Sequence, residues 1–302
     1  MLYTFYETVQ NYFCLHKIGY DCIPLRGFTA ELVFANVGTS QIGKSRKTEE
    51  YDMKLMLCGK GGCGKSTITA LLAKEYAREG KRVLVIDCDE SNYGLHQQLG
   101  MELPKDFTDF VGGKQRVMML AANGPMNMPP LFEGPMTIDA IPADYLSCRD
   151  GILLMAPGKI HVANEGCACA FNIVMFQFLQ FLQLGENDVV VMDMEAGIEH
   201  FGRGTGNSCD AVLMVVDPSY ESLKLSEKIG ELCQQGGHPL FYVLNKVTEK
   251  NLPVLEAKIA HPEKIACRLP MKEDLLDAGL SGDTLDGAYP EIQRLVETLA
   301  AG

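Results

Sequence analysis

Met53-Lys-Leu-Met-Leu-Cys-Gly59, running into Lys60-Gly-Gly-Cys-Gly-Lys-Ser-Thr67, decides the fold. The first seven residues are a short apolar run ending in glycine, the pattern of a buried strand. Gly59 to Ser66 fits G-x-x-x-x-G-K-[ST], and helical spacing follows from Ser66 to Arg78. The motif therefore stands where its mechanism needs it, between a strand and a helix. Gly59, Gly61, Gly62 and Gly64 let the backbone curl until its N–H groups face a polyphosphate, and the helix adds its positive end. In this arrangement Lys65 contacts the β and γ phosphates of ATP, Ser66 ligates Mg2+, Thr67 donates to the α phosphate, and Cys63 lies inside the loop.

Outward from this loop, short apolar runs alternate with longer amphipathic stretches through residues 53–302. That rhythm predicts an α/β fold, a mostly parallel sheet flanked by helices. Strands are expected near 54–57, 82–86, 151–156, 189–192, 211–216, 240–244 and 264–268. Helices are expected near 66–78, 170–184, 220–235, 252–259 and 290–300, and the Pro- and Gly-broken stretch 101–150 reads as irregular. In the 170–184 helix, Gln177, Gln180 and Gln183 form one polar stripe among Phe, Leu and Met, facing the core or a second subunit.

Residues 1–52 have another texture. They hold nine of the aromatics, show no sustained period, and end in a charged run from Lys44 to Asp52. No fold is assigned to them. Met53 stands where a nucleotide-binding domain would begin, so residues 53–302 are expected to form the domain and residues 1–52 to derive from an upstream start. A genuine extension, helical around Leu2 to Leu15, is the alternative.

The composition closes off several classes. With 47% hydrophobic and 22% charged residues the chain can bury a core. A net charge of −12 argues against a phosphate-backbone binder, so nucleic acid is not an expected partner. Eleven cysteines without a secretory leader are expected to be reduced thiols of a cytoplasmic protein. No apolar run approaches the ~20 residues of a membrane helix; the richest, Phe171 to Leu184, is broken by Asn172, Gln177, Gln180 and Gln183. No membrane partner is expected.

A lysine directly after the first glycine, Lys60, resembles the deviant Walker A motif of the MinD, ParA, ArsA and nitrogenase-iron-protein superfamily. The resemblance implies a MinD-like P-loop NTPase that dimerises, with Lys60 reaching the partner's nucleotide and coupling dimerisation to hydrolysis. Asp193 ends the apolar strand Val189 to Met192, where a carboxylate can hold the Mg2+ shell. Asp87-Cys-Asp89 resembles the family's first switch, which makes Asp89 the residue orienting the attacking water or a magnesium-bound water. By the same resemblance Gly197 senses the γ phosphate, Asn245 reads the adenine edge, and Pro270 packs on the base.

Cys167-Ala-Cys169 offers two soft donors to one ion, which is half of a tetrahedral site; a symmetric dimer would supply the rest. Together with Gly158-Lys-Ile-His161 and the stretch from Asp193 to Thr205, it resembles the CooC-type maturation ATPases of nickel-containing carbon monoxide dehydrogenase. That resemblance covers residues 53–302. It implies a homodimer in which Cys167 and Cys169 bind Ni2+ or Zn2+ between subunits, with the dehydrogenase as client. His161, His200 and Cys148 receive no role. Two alternatives stand beside it. A nitrogenase-iron-protein-like reductase would need a cluster cysteine just after Asp193, where the chain has Met, Glu, Ala and Gly. A MinD/ParA-type positioning switch would need a membrane or DNA surface, and Pro290 to Gly302 holds one Arg and no Lys.

Overall fold

The computed structural model describes residues 52–301 apart from 125–126, 163–167 and 199–207. The reading of residues 1–51 lies outside this range. Among the described residues eight strands form one sheet in the order β3-β4-β2-β5-β1-β6-β7-β8. They are β1 (Met53–Gly59), β2 (Arg82–Asp87), β3 (Ser147–Arg149), β4 (Ile152–Met155), β5 (Asp188–Asp193), β6 (Ala211–Val216), β7 (Leu240–Val247) and β8 (Ile265–Pro270). All neighbours run parallel except the edge strand β3, which pairs antiparallel with β4.

The central strands read as unbroken apolar runs because both faces are covered. Leu55 and Leu57 of β1 face one layer, built from α1 (Lys65–Arg78) and the C-terminal helix Pro290–Ala301. Met56 faces the opposite layer, where α3 (Gly113–Leu120) contributes Val117 and α4 (Cys169–Phe181) contributes Val174 and Phe178. Farther along the same face, Val212, Met214 and Leu244 pack on Leu223 and Ile229 of α5 (Tyr220–Gly236). Each fully buried Leu, Ile or Val contributes roughly 1.5–3 kcal/mol.

The structure differs from the sequence expectations at several points, including the helix expected over 252–259, which ends at Glu256. The 101–150 stretch contains α3 and the edge strand β3; each is too short to show a period. Two further helices, α2 (Leu95–Leu99) and α7 (Glu273–Ser281), were not anticipated. One is a single turn, and the other is short, with Leu275 and Ala278 only partly buried against the core. Helix α4 stops at Phe181 rather than 184, because Leu182 turns extended and bridges to Met136, and Lys54 Nζ donates to the carbonyls of Leu179 and Leu182.

The glutamine stripe splits as well. Gln177 is buried and its Oε1 accepts from the Leu131 N–H at 2.7 Å, while Gln180 and Gln183 are exposed. The remaining short helix, α6 (Leu252–Glu256), precedes β8, and α8 is the C-terminal helix. Ile292, Leu295, Val296 and Leu299 of α8 are buried in the core, so its apolar stripe is spent on the fold. Among the described residues no helix is long and apolar enough to cross a membrane.

Candidate active site

Parallel strands end together, and the loops leaving their carboxyl ends share one rim. The register sets Leu57 of β1 and Asp87 of β2 on either side of Asp193 in β5. At this rim Gly64 precedes α1 with φ 100° and no side chain caps the helix. The first N–H groups of α1 therefore stay open to an anion. Asn245, at the end of β7, supports the loop from behind. Its Nδ2 donates to the Cys63 carbonyl at 2.8 Å, and a Cβ on Gly64 would collide with the same amide. Lys246 takes a left-handed φ of 58° and donates from Nζ to the Gly62 carbonyl at 2.7 Å.

A cleft of about 600 Å³ opens in front of the loop. Gly61, Gly62, Gly64, Lys65, Ser66 and Thr67 form one wall, and Asp89, Asn92 and Gln98 the second. Asn245, Pro270, Leu275, Leu276 and Leu280 close its far end, so α7 supplies an apolar side that the sequence reading missed. Pro270, expected to pack on the base, lines the cleft. Asn245 lines the cleft too, but one amide N–H is committed to Cys63, and its Oδ1 accepts from the Lys246 N–H.

The Mg2+ ligands expected from the motif meet here. Ser66 Oγ donates to Asp193 Oδ2 at 2.6 Å and accepts from Asn92 Nδ2 at 2.6 Å. Asp193 is fully buried, and its Oδ1 has no hydrogen-bond partner among the described residues. Burial and the neighbouring Asp87 push its pKa well above the usual carboxylate range, against the lowering effect of Ser66 and Lys65. A buried, partnerless carboxylate oxygen beside a serine hydroxyl is a donor set that suits Mg2+, whose charge would offset the desolvation. Lys65, itself buried, reaches the Lys60 carbonyl at 3.4 Å. Asp89 Oδ1 accepts from the Ser91 N–H and hydroxyl, which stiffens the turn that carries it.

Lys60 does not line its own cleft. Its Nζ donates to Ser219 Oγ at 3.3 Å, 3.9 Å from Asp217 and 3.5 Å from Glu221. Gly59 ends β1 behind the loop, and Cys63 is buried, its thiol pushed up to about 11 by burial. Burial likewise raises the thiols of Cys58, Cys88, Cys209, Cys233 and Cys267, which keeps them protonated and apolar in behaviour. Gly197 lies on the bend after β5 with φ 119°.

Of the Cys-x-Cys pair, Cys167 lies outside the described residues. Cys169 opens α4, half-buried, and is disulfide-bonded. A metal thiolate there requires the reduced form. No cluster of three or more metal-ligating side chains occurs among the described residues. His161 pairs with Asp106 Oδ2 at 3.0 Å, His200 lies outside the described residues, and Cys148 is exposed on β3.

Two residues given no role in the sequence reading complete the rim. Asn92 bridges to Ser66, and Lys159, fully buried, bonds to Asp87 Oδ2 at 2.7 Å. The signal for Lys159 was a cation in the short loop after an apolar strand, next to a glycine.

Residues 55–285 match the family model of the CobQ/CobB/MinD/ParA nucleotide binding domain. An uncharacterised ATP-binding protein of Methanocaldococcus jannaschii is 44% identical over 248 residues, 82% of this chain and 99% of that protein. The carbon monoxide dehydrogenase accessory protein CooC of Rhodospirillum rubrum is 31% identical over 197 residues, 65% of this chain and 74% of its own length. In fold, the septum site-determining protein MinD of Pyrococcus horikoshii, complexed with Mg-ADP, superimposes with a TM-score of 0.57 at 16% identity, over 82% of this chain and 96% of that one.

Proposed function

The chain belongs to the CobQ/CobB/MinD/ParA family of nucleotide-binding domains, and on that premise we propose that it is an ATP-hydrolysing maturation factor that handles a thiolate-bound metal. The observation that carries the ATPase reading is the pairing of Ser66 with Asp193. An uncapped helix end receives the phosphates, and a partnerless carboxylate oxygen waits beside the serine. Lys65 binds the β and γ phosphates, Thr67 the α phosphate, and Asp89 orients water. Ser66 and Asp193 would hold Mg2+, which would supply positive charge to offset that developing on the phosphoryl oxygens.

Lys60 acts across a homodimer, where its cation reaches the partner's nucleotide. Its seat on Ser219, Asp217 and Glu221, away from its own cleft, is compatible with that role. Cys167 and Cys169 bind Ni2+ or Zn2+ jointly with the second subunit, and nickel insertion into a carbon monoxide dehydrogenase is the proposed task. The similarity to CooC supports this, as does the position of Cys169 at a helix start. The apolar stripe of α8 is buried in the core, so this helix does not present it to a membrane.

The test uses anaerobically reduced full-length protein. Metal per subunit and molar mass are measured with Ni2+ or Zn2+, with and without Mg-ATP. The expected result is a dimer holding one ion between two subunits, and loss of that ion in a Cys167→Ser/Cys169→Ser variant that still binds ADP. Unchanged metal content in the variant, or a monomer under every condition, overturns the metallochaperone reading.

A further inference from the structure

We propose that Lys159 is a positioning residue for ATP hydrolysis: its ammonium holds the loop between Asp87 and Tyr93 in the shape that sets Asp89 and Asn92 against the nucleotide. The inference rests on the ATPase reading above and assigns a residue that the phosphate-loop motif does not contain.

The side chain of Lys159 is fully buried, and an ammonium has three donors to satisfy. All three are taken. One goes to Asp87 Oδ2 at 2.7 Å, one to the Asp89 carbonyl at 2.6 Å and one to the Asn92 carbonyl at 2.6 Å. Neutralising Asp87 would need only the first. The other two fix the backbone at two points of one loop, three residues apart, and those are the residues whose side chains line the cleft. Asn92 continues the contact inward, since its amide donates to Ser66 Oγ, the hydroxyl bonded to Asp193. A displaced Lys159 would release the Asn92 carbonyl and, with it, the amide that steadies Ser66.

The segment carrying Lys159 is itself held on several sides. The Ile160 N–H donates to the Glu90 carbonyl at 3.3 Å, and the Tyr93 hydroxyl donates to the Ile160 carbonyl at 2.7 Å. The Lys159 N–H donates to Asp106 Oδ1. Gly158 sits so close to the Phe171 ring that any Cβ there would overlap it, and Phe171 is two residues beyond Cys169 in α4. A lysine seated between the loop and α4 can therefore hold that loop as a rigid body, because its own backbone has no room to yield.

The test compares wild type, Lys159→Met and the double variant Asp87→Asn/Lys159→Met, which removes both members of the buried pair and so spares the fold an uncompensated charge. Turnover, KM and the enhancement of ADP binding by Mg2+ are measured, with thermal midpoints as the check on folding. The double variant is expected to recover a stable fold, yet to show kcat lowered about 10²-fold and a lost Mg2+ enhancement, with ADP affinity in the absence of Mg2+ unchanged. A double variant with wild-type kcat and wild-type Mg2+ enhancement overturns the proposal, since Lys159 would then serve only to neutralise Asp87. If the wild type shows no turnover at all, the ATPase reading falls and the hydrolytic role of Lys159 falls with it. If the wild type turns over but the double variant keeps the Mg2+ enhancement of ADP binding and wild-type kcat, the ATPase reading stands and only the role of Lys159 is overturned.

Discussion

Ser66 Oγ donates to Asp193 Oδ2 at 2.6 Å, while Asp193 Oδ1, fully buried, has no hydrogen-bond partner among the described residues. One carboxylate is thus half satisfied, its second oxygen buried without a donor among the described residues. Leaving such a group unpaired costs on the order of 1–3 kcal/mol. A divalent cation at this point would remove that cost, which makes the apo fold and the loaded fold differ in their response to pH.

Because burial and Asp87 raise the pKa of Asp193, the proton is held more tightly in the folded chain than in the unfolded one. The sign follows: the stability this group contributes is complete below the unfolded value of ~3.9 and is lost as pH rises through the raised folded value. Mg2+ needs the carboxylate and displaces that proton. The rise in thermal midpoint on adding Mg-ADP should therefore be larger at about pH 8 than at about pH 5, and Asp193→Asn should flatten the difference. A pH-independent increment in the wild type would refute this account of the oxygen.

The phosphate loop was legible because its chemistry is local: Gly59 to Thr67 supply the curl, the cation, the hydroxyl and the helix end within one run of chain. Asp193 was legible for a different reason, since an acid ending an apolar run must sit at the carboxyl rim of a parallel sheet. The rest of the site is made by contacts across long separations. Asn92 meets Ser66 26 residues away, Lys159 meets Asp87 72 away, and Lys246 meets the Gly62 carbonyl 184 away. No period or spacing encodes such meetings. Asn245 illustrates the limit from the other side: its position was anticipated, but its bond to Cys63 arises only when β7 lies beside the loop.

Gly64→Ala tests that support directly. The position has φ 100°, which costs an L-residue roughly 1–2 kcal/mol, and the added methyl would push Asn245 off the Cys63 carbonyl, removing about 1 kcal/mol more. The thermal midpoint should fall by about 4–8 °C, as ~2 kcal/mol does in a domain of this size, and ADP affinity should fall with it. A variant with wild-type midpoint and affinity would show that the loop does not depend on this contact.

Gln177→Met probes the one glutamine of α4 that faces the core. Methionine fills a similar volume, but the Leu131 N–H loses the acceptor it holds at 2.7 Å. A loss of about 1 kcal/mol in chemical denaturation is expected, with nucleotide binding untouched. Gln180→Met, on the exposed side of the same helix, should change stability little. Equal effects at the two positions would contradict the assignment of faces.

The two lysines of the loop should separate binding from turnover. Lys65 is buried and points into its own cleft, so Lys65→Ala removes the charge that meets the phosphates in cis. A loss of at least ~2 kcal/mol, about 30-fold in ADP affinity, is expected by calorimetry. Lys60 lies outside its own cleft, seated on Ser219, Asp217 and Glu221. Lys60→Ala should therefore leave ADP affinity unchanged and lower phosphate release by about 10³-fold, the scale of a cation supplied from a partner molecule. Mixing Lys60→Ala with an excess of Lys65→Ala protein sharpens the comparison: the second variant still carries Lys60, so mixed dimers regain turnover at the one competent cleft. Turnover that does not rise on mixing, or a Lys60→Ala protein as fast as wild type, would place the lysine's contribution outside hydrolysis.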